Sequence, residues 1–468
     1  MRTHFKAIAK VAATALLLSF IWVAQPAVAA TGTITNTGNV WKDTAGATLQ
    51  ARGAGIFQVG STYYMVGEDK SNGAGFTAVA CYSSTNLSTW TRQTNALTAQ
   101  GTGDLAAGRI IERPKVIYNE TTQKYVMYMH VDSNDYQAAR VGVATSSTPC
   151  GAYTYLGSSR PLGYESRDMG LFKDTDGKAY LLTEDRSNGT RIDLLSADYL
   201  SVVSNVATLH DNNGWPLESP ALIKKNGVYF FLGSHLTGWN TNDNEYSTAT
   251  SLSGPWSATT KFAPLYSDTF DTQVSSVLPI QGTSTTSYMF LGDRWNSGDL
   301  NASVPIWLPL TVSGTSLSVT WYDSWSVDTV TGVVTATAPT GTSTSWTGQA
   351  SGRCIDSPQN RNGRTVALWD CNGGVNQKWA LTSKDEIRGY GKSRCLDAFG
   401  TTPGSAVGVW DCHGGINQKW VKNSDGTISS SASGLCLDVS GGGTGNGSAI
   451  ILWNCTGAAW QKWTQQSS

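Results

Sequence analysis

The hydrophobic pattern of this chain is one motif written five times: a short apolar run, a tight turn and a second apolar run. At its clearest, Ala221-Leu222-Ile223 passes through a turn at Asn226-Gly227 into Val228-Tyr229-Phe230-Phe231-Leu232. Short β-branched and aromatic runs around an Asn-Gly pair predict two antiparallel strands. Arg52-Gly53-Ala54-Gly55-Ile56-Phe57 leads through Gly60 to Tyr63-Tyr64-Met65-Val66, and Glu112-Arg113-Pro114-Lys115-Val116-Ile117 leads to Tyr125-Val126-Met127-Tyr128. Asp168-Met169-Gly170-Leu171-Phe172 leads through Asp176-Gly177 to Ala179-Tyr180-Leu181-Leu182, and Gln273-Val274-Ser275-Ser276-Val277-Leu278 to Ser287-Tyr288-Met289-Phe290-Leu291. The second runs recur at 61, 55, 49 and 59 residues, counted from Tyr64 through Tyr125, Tyr180 and Tyr229 to Tyr288. A β-rich unit at that period predicts a propeller, here with five blades. If each first run is the innermost strand of its blade, then Gly53, Glu112, Asp168, Glu218 and Gln273 ring one mouth of the channel. Three carboxyls converging on one pocket point to acid–base chemistry.

The ends of the chain read differently. Residues 1–30 combine a basic start (Arg2, Lys6, Lys10), an apolar stretch from Val11 to Val23 and the small-residue site Ala27-Val28-Ala29. That is the pattern of a secretory signal peptide. No later stretch is apolar for the length of a membrane span, so a secreted, extracellular protein is expected. Residues 31–42 are expected to form a strand that closes the ring, which places the propeller at 31–338. A Thr-, Gly- and Ser-rich linker follows at 339–345.

From Trp346 to Ser468 a second period begins. Arg353-Cys354-Ile355-Asp356 recurs as Arg394-Cys395-Leu396-Asp397 and as Leu435-Cys436-Leu437-Asp438, 41 residues apart each time. Trp369-Asp370-Cys371 matches Trp410-Asp411-Cys412 and Trp453-Asn454-Cys455. Gln377-Lys378-Trp379, Gln418-Lys419-Trp420 and Gln461-Lys462-Trp463 close the three units. Units this short cannot each bury a core, and three-fold stacking solves that. Pairs Cys354–Cys371, Cys395–Cys412 and Cys436–Cys455 would each staple one unit. Cys81 and Cys150, the remaining two of eight, are expected to pair across adjacent blades.

Composition narrows the chemistry. With 33 basic and 34 acidic residues, nothing favours nucleic acid or an acidic membrane as partner. With 18 Trp, 18 Tyr and 50 Gly against 14% charged residues, the chain suits short strands and aromatic platforms that stack on sugar rings. The scattered His and the absence of a His-Glu-x-x-His motif argue against a metal enzyme, and there is no glycine-rich phosphate loop of the usual spacing. Asp174-Thr175-Asp176-Gly177 reads as a β-turn ahead of a calcium loop. No cofactor is expected, and a structural calcium in the channel is left open. A monomer acting on a polysaccharide is the working expectation.

Residues 346–468 resemble a ricin-type β-trefoil, the fold of family 13 carbohydrate-binding modules, with all three Gln-x-Trp signatures. The resemblance implies sugar contacts from Asp356, Trp369 and Asn376 in unit one and from Asp397, Trp410 and Asn417 in unit two. Unit three offers Asp438 and Trp453 but has Trp460 where Asn is expected. The Trp of each Gln-x-Trp is implied to be core.

Residues 31–338 resemble glycoside hydrolase family 43, five-bladed propellers that cleave glycosidic bonds with inversion. Glu218 in Glu-Ser-Pro matches the family's general acid, and Asp168 the carboxylate that orients it and tunes its pKa. The usual catalytic base falls on Gly53 and is missing. That gap, with Glu112-Arg113-Pro114-Lys115, His130-Val131-Asp132, Ser234-His235-Leu236-Thr237-Gly238-Trp239 and Gly292-Asp293-Arg294-Trp295, resembles the exo-β-1,3-galactanase branch, whose substrates are arabinogalactan chains. Arg52 stands where that branch is expected to carry His, which implies an altered pocket floor. Inversion requires an acid on one side of the anomeric carbon and an activated water on the other. Gln273 is the expected water-holder, and Glu112 a carboxylate for sugar hydroxyls, for orienting Glu218 or for assisting the water. Glu68, Tyr136, Trp239, Asp293, Arg294 and Trp295 are expected substrate contacts. Two rivals stand beside this reading: an arabinofuranosidase or xylosidase, against which Gly53 argues, and a catalytically inactive galactose-binding lectin.

Overall fold

The computed structural model describes residues 31–466; the expected signal peptide at 1–30 lies outside the described residues. Five consecutive four-stranded sheets form the first body, blade one carrying an extra two-residue strand. The inner strands are Arg52–Val59, Ile110–Asn119, Met169–Lys173, Glu218–Lys225 and Gln273–Gln281. Each packs against the inner strands of both neighbours, so the ring closes. Five apolar clusters lie between successive blades, such as Met127 with Cys81 between blades one and two, and Tyr128 with Leu181 between blades two and three. Each second strand is therefore buried on both faces, which is why it reads as an unbroken apolar run instead of an alternating one.

The first strand behaves differently from expectation. Thr31–Thr35 pairs with Ser324–Asp328, which also pairs with Val334–Ala336, and joins no blade. Blade five already supplies four strands of its own, ending at Val319, so no place in its sheet is vacant. Ile34, Trp325 and Val327 instead pack into the cluster between blades five and one, and closure is by side-chain packing.

Register explains how the channel mouth is built. Four of the inner strands carry a β-bulge near their start, between Arg52 and Gly55, Glu112 and Lys115, Glu218 and Ala221, and Val274 and Ser276. In three of them a left-handed residue makes the bulge: Gly53 (φ 59°), Arg113 (φ 53°) and Ser219 (φ 58°). The residue ahead of the bulge in blades one, two and four, and Gln273 one residue further ahead in blade five, lies opposite a residue on the second strand: Arg52 with Glu68, Glu112 with His130, Glu218 with Ser234, Gln273 with Asp293. In blade three the N–H of Glu184 donates to the carbonyl of Asp168 at 2.9 Å. The ring position in blade one is thus Arg52, one residue before the expected Gly53.

The second body is three-fold. Trp379, Trp420 and Trp463 meet in one core with Leu368, Val409 and Leu452, and their indole N–H groups donate to the carbonyls of Ile355, Leu396 and Leu437. All four expected disulfides are present, Cys81–Cys150 joining blades one and two. The linker is shorter than expected, since Thr344 and Ser345 already pair with Trp379 and Lys378. Unit two docks on the propeller through buried charge. Arg394 donates to Asp271 at 2.6 Å, Arg294 donates to Asp411 at 2.7 Å, and Arg394 also pairs with Asp411. Asn360 adds a bond to the carbonyl of Ser267 at 2.6 Å.

Candidate active site

A cavity of about 380 Å³ opens at the mouth where the ring residues gather, lined by Glu68, Glu112, Asp168, Glu218 and Gln273 together with Tyr136, Trp239 and Trp295. Carboxylate oxygens of Glu112 and Asp168 lie within 4.8 Å of one another, as do those of Asp168 and Glu218. The three carboxyls expected to meet do meet, and Asp168 stands between the other two.

Their states diverge. Burial opposes ionisation of Glu112, but Lys70 (3.3 Å) and His130 (3.5 Å) outweigh it and hold the carboxyl well below its ordinary range. His130 is pushed up to about 9: burial opposes this, and Asp132, at 2.7 Å, and Glu112 overcome it. Glu218 is raised well above the ordinary carboxyl range, first by burial and then by the charges of Asp168 and Glu184. Two carboxyls in one pocket, one held ionised and one held protonated, are what acid-assisted bond cleavage requires.

Gln273 touches Glu218. Its Oε1 accepts from Arg113 and, at 2.9 Å, from the Trp295 indole. Its Nε2 donates to Glu218 Oε1 at 2.7 Å and to Ser234 Oγ at 3.0 Å. Arginine and indole are donors only, so the amide cannot be turned the other way. Trp239 and Trp295 meet edge to face at 5.2 Å and form the aromatic wall. Tyr136 donates to Glu112 at 3.1 Å.

Position 53 explains the missing base. A Cβ there would lie 2.4 Å from Glu68 Oε1, and the backbone is left-handed at φ 59°. Glu68, bonded by Lys70 and by the Arg113 N–H, fills the space a side chain at 53 would need.

Three expectations are corrected. Asp293 and Arg294 do not line the cavity. Asp293 is buried, accepts the Gly53 N–H at 3.0 Å and lies 3.8 Å from Arg113, and Arg294 is spent on the trefoil interface. Asp293 and Arg294 are successive residues at the end of the strand Thr286–Arg294 and point to opposite faces, one toward Gly53 and the other toward the trefoil. Arg52 is fully buried, donating to the carbonyls of Leu49 and Asn301, and forms no pocket floor. Residues not singled out from sequence also line the cavity: Arg113, His130, Asp135, Arg167 and Arg186. The adjacency of Arg113 to Glu112 was a legible signal; His130 comes in through strand pairing with Glu112, and Asp135, Arg167 and Arg186 lie outside the strands, on segments that only the fold brings in.

Among the described residues, Glu112–His130–Asp168 and Asp168–Glu184–Glu218 have metal-like spacing. The donor set does not fit a cation, because Lys70, Arg113 and Arg186 already neutralise these carboxylates. Asp174 takes Lys224 and Tyr229 and caps an ordinary turn. A larger cavity, about 640 Å³, opens on the other mouth, but the lysines facing it are engaged by Glu120, Asp174 and the carbonyls of Gly53 and Val312. No acid–base pair faces it.

In the trefoil, Trp369, Trp410 and Trp453 are exposed. Asp356 accepts from Asn376 and Gln377, and Asp397 from Asn417 and Gln418. Asp438 accepts from Gln461, and Trp460 stands where units one and two carry the donating Asn. The glutamines of the three signatures thus aim the carboxylates beside their indole platforms.

A propeller that sets a protonated carboxyl among ionised ones behind an aromatic wall defines a glycoside hydrolase. Residues 50–288 match the sequence model of Glycosyl hydrolases family 43, and residues 342–463 that of the ricin-type beta-trefoil lectin domain. The chain belongs to glycoside hydrolase family 43 and carries a ricin-type β-trefoil. It is 33% identical to an exo-β-1,3-galactanase from Clostridium thermocellum over 93% of this chain and 99% of that one, with a TM-score of 0.64. It is 35% identical to an exo-β-1,3-galactanase from Phanerochaete chrysosporium bound to β-1,3-galactotriose, over 82% and 91%, TM-score 0.65. A putative exo-β-1,3-galactanase from Bifidobacterium bifidum is 41% identical over 62% and 96%, TM-score 0.60.

Proposed function

We propose that this hydrolase is an extracellular exo-β-1,3-galactanase that removes galactose from the β-1,3-galactan backbone of arabinogalactan with inversion. The observation that carries the reading is the joint state of positions 53 and 273: no side chain fits at the first, and a fixed amide touches the acid at the second. The similarity to the exo-β-1,3-galactanases of Clostridium thermocellum and Phanerochaete chrysosporium supports the substrate. Four disulfides and the carbohydrate-active domains suit an extracellular site of action.

In this mechanism Glu218 donates its proton to the departing glycosidic oxygen. Gln273 Nε2 occupies Oε1, which leaves the proton on Oε2. Asp168 orients the acid. Glu112, held ionised, accepts hydrogen bonds from sugar hydroxyls, and its depressed basicity suits binding better than proton abstraction. A sugar entering between Glu218 and Gln273 breaks their contact and frees an amide N–H to hold the attacking water, while Arg113 and Trp295 keep the amide in place. As the water oxygen bonds to the anomeric carbon and the glycosidic bond breaks, the proton of the water passes to solvent, from which Glu218 is protonated again. The trefoil sites of units one and two hold further stretches of polymer and raise the local substrate concentration.

Incubation with β-1,3-galactan, an arabinan and a xylan tests the reading. Galactose from the first alone, with the α-anomer appearing first by proton NMR, is the expected result. Arabinose or xylose would point to the rival hydrolases, and an initial β-anomer would refute inversion.

A further inference from the structure

One strand out from the innermost strands stands a second ring, Glu68, His130, Glu184, Ser234 and Asp293, of which Glu68 and His130 also line the cavity. Four of these have visible partners in the site. Glu68 fills the place beside Gly53, His130 pairs with Glu112, Ser234 takes an N–H of Gln273, and Asp293 accepts from Gly53. Glu184 remains. It is 1% exposed; its Oε1 accepts from Arg186 Nε at 2.6 Å, and its Oε2 is buried with no hydrogen-bond partner among the described residues. Oxygens of Asp168, Glu184 and Glu218 all lie within 4.8 Å of one another. Glu184 does not line the cavity, so it meets no substrate.

We propose that Glu184 is a positioning residue for the hydrolysis: its negative charge, set beside Asp168 and facing the acid, keeps the proton on Glu218, and Arg186 limits that effect. This rests on Glu218 being the acid. Glu218 faces the carboxylates of Asp168 and Glu184 and the guanidinium groups of Arg113 and Arg186. Glu184 faces Asp168, Arg186 and, from blade two, His130. Burial and then the charge of Asp168 raise the Glu184 carboxyl, and the short bond from Arg186, at 2.6 Å, opposes both and favours its ionised form. With Glu184 ionised, two negative charges balance two positive ones around Glu218. Glu184→Gln leaves Asp168 alone against two guanidinium groups, which favours loss of the Glu218 proton. Arg186→Gln does the reverse. Burial, the other influence on Glu218, is nearly the same in both variants, so opposite shifts isolate the charge.

The experiment is the pH dependence of kcat on β-1,3-galactobiose, using the full chain. Turnover needs protonated Glu218, so the alkaline limb reports its ionisation. In Glu184→Gln that limb is expected to move to lower pH by about one unit, and in Arg186→Gln to higher pH by a similar amount. Glu184→Asp, which keeps the charge, should restore the wild-type limb. A limb unmoved by Glu184→Gln, or moved the same way by both glutamine variants, overturns the proposal. If Glu184→Gln does not fold, Arg186→Gln with an unmoved or acid-shifted limb overturns it equally. Undiminished turnover in Glu218→Gln would instead refute the acid assignment, whereas galactose release with an unmoved limb would refute Glu184 alone.

Discussion

The three-fold repeat of the trefoil supplies its own control for the interface with the propeller. The same Arg–Asp pair occurs in two units. In unit one, Arg353 and Asp370 meet at 3.0 Å with 32% and 66% of their side chains exposed. In unit two, Arg394 is fully buried, pairs with Asp411, and reaches Asp271 on the propeller. Unit three has Leu435 and Asn454 at these places. Arg394→Met would leave Asp271 Oδ2 with Arg294 at 3.5 Å and the buried Asn360 Oδ1 without its donor, while Asn362 Oδ1 keeps the Asp411 N–H. Removing one member of a buried ionic network costs about 3–5 kcal/mol, whereas an exposed pair contributes about 1 kcal/mol or less. Arg353→Met should therefore barely move the urea midpoint followed by tryptophan fluorescence, and Arg394→Met should lower it by the equivalent of about 2–4 kcal/mol more. The two values are compared as differences, because a two-body chain need not unfold in one step. Equal midpoints in the two variants would refute the claim that unit two is a structural dock.

Further outcomes follow from the same geometry. Glu218→Gln should lose at least about a hundredfold in turnover with galactan binding retained, as measured by initial rates and calorimetry. Gly53→Asp should not create a base: with a Cβ 2.4 Å from Glu68 Oε1 and φ at 59°, it should destabilise the fold by about 1–3 kcal/mol and lower turnover. A folded Gly53→Asp enzyme with raised turnover would contradict this. The His130 pair gives a pH signature. Because its folded pKa, about 9, lies above the ordinary His value, its contribution is complete below about pH 6.5 and fades as pH rises through about 9. The gap in unfolding temperature between wild type and His130→Gln should accordingly shrink from pH 6 to pH 9.5, and a gap that widens would reverse the sign of the argument.

Much of the architecture could be read in advance because it is written locally. Apolar runs at a constant spacing set five blades, since each run must bury two faces, and the Cys and Gln-x-Trp repeats set three trefoil units, since each is too small to stand alone. Glu218, between two prolines at the start of an apolar strand, could be aimed at the ring from its own neighbours. Asp293 and Arg294 could not be placed this way. They sit beside Trp295 in the chain, and only strand alternation in the folded sheet sends one under Gly53 and the other into the trefoil. Closure of the ring was likewise invisible, because it depends on blade five being complete.

From the amino-acid order alone came the repeats, the disulfide pairs, the acid and the absence of an aspartate at position 53, all properties of short stretches with their own turn and burial chemistry. Only the tertiary structure decided what fills the space beside position 53, which charges surround Glu218, and which trefoil unit carries the buried ion pairs to the propeller. Those outcomes depend on side chains that meet across tens or hundreds of residues, where distance and burial set the energy and no local pattern records it.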